Sequence, residues 1–446
     1  MSTTSSSSSS SSSSDDLLDQ VSSYVRSTIP RMMQLVQQQQ VQQQQAPQRN
    51  SRKKRKVINR ERVDRALLLE RDYFGPAATY ADKFRRRYRM RKPLFERVVV
   101  GVLNQDDYFV RKLDAVGRPG LSTLQKCTAA IRMLAYGCCA DAVDEYCRMG
   151  ESTALECLSR FCDAVFAEFG ATYMRRANED DVRRILAING ARGFPGMLGS
   201  IDCMHWTWKN CPTAWHGQFQ GKSKTPTLVL EAVATQDTWI WHSFFGVSGK
   251  FNDISIVQRS PVFEDLLNGT TPQVEYTVNG HQYTMPYYLT DGIYPSWATF
   301  VSAIANPITH MESKFSQLQE SCRKDVERAF GVLQARFAII RNPALAHNRS
   351  TLRKIMDCCI TLHNMIVEDE RHTYRNYDSE MESVRMEFEQ DTRESVGDLN
   401  DGIRIRRASS IINSLDDYMN MHRQMHSVNT HERLTSDLMQ HIWRLR

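Results

Sequence analysis

Leu198-Gly199-Ser200-Ile201-Asp202 is a short apolar run that closes on an acid, and Tyr287-Tyr288-Leu289-Thr290-Asp291 repeats the pattern further along the chain. Both have the length and composition of buried β-strands. An acid at the end of such a strand is costly unless it is paired or holds a cation. A third acid, Glu327, lies in Arg323-Lys324-Asp325-Val326-Glu327-Arg328-Ala329-Phe330. There Val326, Phe330, Leu333 and Phe337 recur at helical spacing and predict a buried stripe within a helix spanning 312–340. Glu327 is one position, about 100°, from the stripe centre, so it sits at the stripe's edge facing a sheet. Two readings follow. The three carboxylates converge into a hard-oxygen site for Mg²⁺ or Mn²⁺, or they are surface acids paired with neighbours such as Arg323 and Arg328.

Around these runs the pattern is that of a mixed α/β domain. Thr227 to Ala234 and Trp239 to Phe245 are β-rich, and Gln236-Asp237 between them predicts a hairpin. Asn279-Gly280, between Tyr276–Val278 and Gln282–Tyr283, is a strong type I′ signal. A helix is expected over 296–304.

Upstream, 67–185 reads as a helical subdomain. Leu124, Cys127, Ile131 and Leu134 share one helix face, and Ser152 is the expected N-cap of a helix carrying Leu155, Leu158, Phe161 and Val165. With a turn at Met149-Gly150, these helices form either a DNA-reading helix-turn-helix or an ordinary helical subdomain. Residues 1–66 read as a disordered tail, because the serine run Ser5–Ser14 and the Gln-rich Gln34–Gln45 cannot bury enough apolar surface to offset chain entropy. The tail contains Arg52-Lys53-Lys54-Arg55-Lys56-Val57, which reads first as a nuclear-localisation signal and second as a solvated run or DNA arm. Residues 186–368 hold the three acids, and 369–446 read as an acidic linker and a last helix with Leu434, Leu438 and Ile442 on one stripe.

The 446 residues carry a net charge of only +6, but it is unevenly spread. Arg49–Arg97 holds 18 basic and 6 acidic residues, a local charge of +12, whereas Glu368–Asp401 holds 12 acidic and 4 basic, or −8. A basic front suits an anionic polymer for that part of the chain. No apolar stretch approaches the roughly 20 residues that span a bilayer, so no membrane partner is expected. The 11 cysteines include no C-x-x-C pair and indicate free thiols in a reducing compartment. Cys203, His205, Cys211 and His216 lack the spacing of a structural zinc site and read as local packing. His205, three residues after Asp202, is either packed or orients that carboxylate. Trp206, Trp208 and Trp215 are packing residues by default and base-stacking residues otherwise. Lys209, Lys222, Lys224 and Arg85, Arg86, Arg87, Arg89 and Arg91 are either phosphate contacts or solvated surface.

Asp202, Asp291 and Glu327 leave 88 and then 35 residues between them. The wording around each resembles that of the Harbinger-type transposases and their plant relatives: Gly199-Ser200-Ile201-Asp202 with His205, Leu289-Thr290-Asp291-Gly292-Ile293-Tyr294, and Asp325-Val326-Glu327-Arg328-Ala329-Phe330-Gly331-Val332-Leu333. Leu362-His363-Asn364-Met365 is similar to the segment that follows the family's catalytic helix. The resemblance covers about residues 70–370, and the end of the chain (Asp437-Leu438, His441-Ile442-Trp443) is also similar to plant members. It implies a ribonuclease-H-like core with an Asp–Asp–Glu site, two divalent ions of Mg²⁺ or Mn²⁺, and DNA cleavage and strand transfer in the nucleus. It further implies a separate Myb-like DNA-binding partner, while oligomerisation stays open. A domesticated relative that binds DNA or chromatin proteins without transposing is the alternative.

Overall fold

The computed structural model describes residues 59–221, 224–389, 403–406 and 415–445. The nuclear-localisation-like run, most of the expected tail, Lys222 and residues 390–402 of the expected acidic linker lie outside the described residues. Arg60–Arg446 is one compact unit, and a helix at Arg62–Leu69 already begins within the span expected as tail.

At its centre is a five-stranded mixed sheet of order β3-β2-β1-β6-β7. The strands are β1 (Met197–Thr207), β2 (Thr227–Ala234), β3 (Ile240–Ser248), β6 (Tyr287–Thr290) and β7 (Phe300–Ser302). β1, β2 and β3 are antiparallel neighbours; β6 runs parallel to β1, and β7 parallel to β6. All eight residues of β2 are buried, as expected for a strand covered on both faces. Asp237 shapes the β2–β3 turn by accepting from the Thr235 hydroxyl at 2.6 Å and the Trp239 amide at 3.3 Å. A smaller sheet pairs β4 (Gln273–Val278) with β5 (His281–Tyr283) and β8 (Arg404–Arg406). Asn279 and Gly280 join β4 to β5 with φ of 51° and 84°, the left-handed pair that a type I′ turn needs.

Several expectations are corrected. β1 does not end at Asp202 but continues to Thr207. Its ladder with β6 stops at Ser200↔Leu289, yet β2 still pairs with it through Thr207↔Thr227, so one neighbour sustains the strand. The helix expected over 296–304 is replaced by β7. Phe300 and Val301 are both buried, in clusters on opposite faces of the sheet, and only a two-residue period places adjacent side chains so.

Of the helices, α1 (Lys92–Gln105), α2 (Thr123–Tyr136), α3 (Glu151–Tyr173) and α4 (Glu179–Ala191) precede the sheet. Ser122 and Gln125 close a capping box on α2, whose Cys127, Ile131 and Leu134 are buried as expected. Ser152 is not a cap, because α3 starts directly after an extended Gly150 and Ser152 lies in its first turn. Leu155 is 50% exposed, since the buried face runs through Ala154, Cys157, Leu158, Phe161 and Val165. The exposed face of α3 presents Glu151, Glu156, Arg160 and Asp163, with Arg160 paired to Glu156 at 3.0 Å and Asp163 to Lys354 at 2.7 Å.

After the sheet come α5 (His310–Arg336), α6 (Arg349–Glu389), α7 (Leu415–Met425) and α8 (Val428–Arg444). Leu434, Leu438 and Ile442 of α8 are buried in a cluster with Phe315 and Cys322 of α5. The acidic stretch from Glu368 does not begin as a linker but inside α6. Its first acids are held by the basic front: Arg97–Glu368 at 4.0 Å, Arg91–Asp369 at 2.5 Å and Arg85–Glu370 at 2.5 Å. These three arginines of the basic front are therefore engaged internally.

Candidate active site

Asp202 owes its position to a register shift. The β1–β6 pairing has a bulge between Met197 and Gly199, and Gly199 sits at φ 155°. A Cβ there would come within 2.7 Å of the Ala234 carbonyl, so the close approach of β1 to β2 requires glycine. A one-residue slip would turn every following side chain to the other face. From Ser200 onward, the even-numbered residues of β1 point at α5. Ser200 Oγ donates to the Cys322 carbonyl at 3.0 Å, and Met204 Sδ meets Gln334 Nε2 at 3.1 Å. Asp202 lies between them on that face.

Asp202 lies two residues beyond the last β1–β6 pair, Ser200↔Leu289, and Asp291 directly follows the end of β6, near enough for its charge to act on Asp202. Each carboxylate has one oxygen fixed by backbone. The Cys203 amide donates to Asp202 Oδ1 at 2.8 Å, and the Ile293 amide to Asp291 Oδ1 at 2.6 Å. From α5, Arg323 reaches down between the acids. Its Nη1 is 3.8 Å from Asp202 Oδ2 and 2.7 Å from Glu327 Oε1. Val326, Phe330, Leu333 and Phe337 are buried as expected, and Glu327, at the edge of that stripe, is 44% exposed.

Burial pushes the Asp202 carboxyl up to about 6, and Asp253 and Asp291 add repulsion; the Cys203 amide and Arg323 work the other way. Asp253, the first residue of a short helix at Asp253–Val257 capped by Asn252, is thus a fourth acid of this region. The sequence reading missed it, because Asn252-Asp253 looks like any helix start. Among the described residues, no three His, Cys, Asp or Glu side chains stand together closely enough to hold one metal ion. Arg323 occupies the space between two of the three acids. What joins the expected triad here is Arg323, which pairs Glu327 and reaches Asp202, while Asp291 acts on Asp202 through its charge.

The other candidates are placed less centrally. His205 is three positions from Asp202, hence on the opposite face of β1, where Nδ1 meets Thr227 Oγ1 at 3.3 Å; it does not orient the carboxylate. Trp206 and Trp208 are buried and donate their indole N–H to the carbonyls of Asn342 and Ala346, both at 2.8 Å, whereas Trp215 is 41% exposed. Cys203 faces the Tyr294 hydroxyl, and His216 Nε2 meets the Cys211 carbonyl at 2.9 Å.

Residues 171–374 match the family model described as Plant transposon protein, and residues 68–103 match a domain of unknown function. A curated Arabidopsis thaliana protein, Protein ALP1-like, is 22% identical over 264 residues, covering 58% of this chain and 64% of that protein. The chain thus spans less than two thirds of the length of that relative. No solved structure matches.

Proposed function

We propose, from the match of residues 171–374 to the Plant transposon protein family model and the likeness to Protein ALP1-like, that this chain is a Harbinger-type, transposase-derived DNA endonuclease with Asp202, Asp291 and Glu327 as its metal-holding carboxylates. The observation that carries this reading is that Asp202 on β1 feels the charge of Asp291, just past the end of the neighbouring β6, and shares Arg323 with Glu327 of α5. The sheet order, three antiparallel strands followed by two parallel ones, supports a ribonuclease-H-like core.

The donor set fits a hard divalent ion. It is made only of carboxylate oxygens, and the repulsion that helps to raise Asp202 is what a cation relieves. Mg²⁺ or Mn²⁺, as a pair, would activate a water or 3′-hydroxyl and steady the leaving oxygen of a phosphodiester. The chain's own contribution is orientation. The Cys203 and Ile293 amides each hold one carboxylate oxygen, and Arg323 faces the second oxygen of Asp202. Arg323 holds Glu327 until a cation competes for it.

The substrate in this reading is DNA, bound in the nucleus under the direction of Arg52–Val57, with a separate Myb-like protein as partner. Among the described residues, no helix is long and apolar enough to cross a membrane.

The second reading, a domesticated binder of DNA or chromatin proteins, is favoured by one observation: the Arg323 guanidinium already neutralises two of the acids. Asp202→Asn, Asp291→Asn and Glu327→Gln separate the two. On the first reading each loses at least about 100-fold in Mg²⁺- or Mn²⁺-dependent nicking, while metal-free DNA affinity holds, since phosphate is bound by Lys and Arg. Variants that nick like the parent would end the assignment. A parent that never nicks, even with its partner and correct repeat ends, makes the binder the better account.

A further inference from the structure

Beside the carboxylate site, and sharing none of its three acids, is a cavity of 740 Å³ at the turn between β2 and β3. It is enclosed by α4, α5 and α6. Four guanidinium groups line it, from Arg184, Arg328, Arg336 and Arg371, against a single lining carboxylate, Asp237. The remaining lining is divided between aliphatic residues, Ile188, Val332 and Val367 among them, and polar ones such as Asn189 and Gln236, and Ile188 on α4 is 38% exposed.

The arginines outnumber the acids that hold them. Asp237 is shared by Arg184 at 3.4 Å and Arg371 at 3.1 Å. Asp325 is shared by Arg192 at 2.6 Å and Arg328 at 2.5 Å. Glu370 is shared by Arg85 at 2.5 Å and Arg336 at 3.1 Å. Each of these three carboxylates is shared by two arginines, so guanidinium charge outweighs carboxylate charge among these pairs. Arg184 also has Asp181 at 3.9 Å, but Arg175 binds that acid at 2.5 Å. The Nε of Arg371 is buried without a hydrogen-bond partner. Half-buried arginines in excess, held over an aliphatic floor, attract an anion that also brings apolar surface.

We propose that this cavity is the docking site for an acidic protein segment that inserts a Leu, Ile or Phe side chain among flanking Asp and Glu residues. A nucleic-acid backbone would meet the arginines, but it carries no aliphatic group to fill the cavity or to cover Ile188 and Val332. A peptide supplies both halves: an apolar anchor in a pocket, and carboxylates that pair bidentately with the rim.

The test uses the purified full chain and a fluorescein-labelled synthetic peptide with Leu and Phe spaced among Asp and Glu, read by anisotropy. Saturable binding is expected, and it should vanish when the Leu and Phe are replaced by Ser. Ile188→Glu and Arg328→Gln should each weaken it about tenfold or more, the scale of one charge-assisted contact. Both sites are surface-accessible, and Asp325 keeps Arg192, so melting temperatures should hold; Ile188→Ser serves if the glutamate variant melts early. The proposal is overturned if the peptide fails to bind or binds the Ile188 variants like the parent. It is equally overturned if a single-stranded oligonucleotide of the same charge binds with the same dependence on Ile188 and Arg328.

Discussion

Arg323 Nη1 lies 2.7 Å from Glu327 Oε1, one turn further along α5, and the same nitrogen reaches Asp202 on β1 at 3.8 Å. Glutamate and arginine four residues apart on a helix are ordinary neighbours. Here the pair also ties the helix to the strand at the point where β1 and β6 part. One arginine thereby compensates two acids that would otherwise repel each other, and its side chain is 17% exposed, so solvent screens it little.

If that arginine stands in for a cation, removing it should exchange one for the other. Arg323→Gln is expected to lower stability in divalent-free buffer by about 1–3 kcal/mol, the range for a hydrogen bond to a charged group. Adding Mg²⁺ or Mn²⁺ should then raise the melting temperature of the variant more than that of the parent. Thermal melts of both proteins with and without the ions decide it, and equal metal-induced shifts would refute the competition.

Glu231 gives a pH signature. It lies in the middle of β2, wholly buried, and burial pushes its carboxyl from 4.5 up to about 7. The folded chain therefore binds more protons than the unfolded chain between about 4.5 and 7. The stability this group contributes is full below that window and is lost as pH rises through it. The slope is at most about 1.4 kcal/mol per pH unit. Glu231→Gln should remove this part of the pH dependence, gaining on the parent at pH 8 relative to pH 5. Urea denaturation at the two pH values measures it, and parallel slopes would show that Glu231 is ionised in the folded protein.

Asp325 separates a buried charge from an exposed one. It is fully buried on α5 and holds Arg192 through both oxygens, at 2.6 and 3.2 Å, and Arg328 at 2.5 Å. Asp325→Asn leaves Arg192 largely buried without its counter-charge and should cost about 3–5 kcal/mol. Arg328 is 52% exposed, and Arg328→Gln should cost no more than about 1 kcal/mol. Equilibrium unfolding of the two variants should rank them in that order; the reverse ranking would mean that Arg192 does not depend on Asp325.

The basic run is tested in cells. Alanine at Lys53, Lys54, Arg55 and Lys56 should move a tagged full-length protein out of the nucleus. If the variant remains nuclear when expressed alone, the run is a DNA arm, and its loss should instead flatten the salt dependence of DNA binding.

The features legible in the sequence were those written in local pattern. The stripe Val326, Phe330, Leu333 announced α5, Asn279-Gly280 announced the β4–β5 hairpin, and Leu434, Leu438 and Ile442 announced a last helix with one apolar stripe. Each depends on residues within a few positions of one another, where periodicity and turn chemistry act directly. The tertiary structure decided what depends on distant partners. It extended β1 past Asp202 because β2 supplied hydrogen bonds there, and it made 300–302 a strand because β6 offered an edge. It brought Asp253 towards Asp202 and set the arginines of the basic front on Glu368, Asp369 and Glu370. A charge run in sequence gives the sign of a surface, but which opposite charge it meets depends on how the chain closes on itself. For the same reason the sequence could name Asp202 and Glu327, while only the fold could put Arg323 between them.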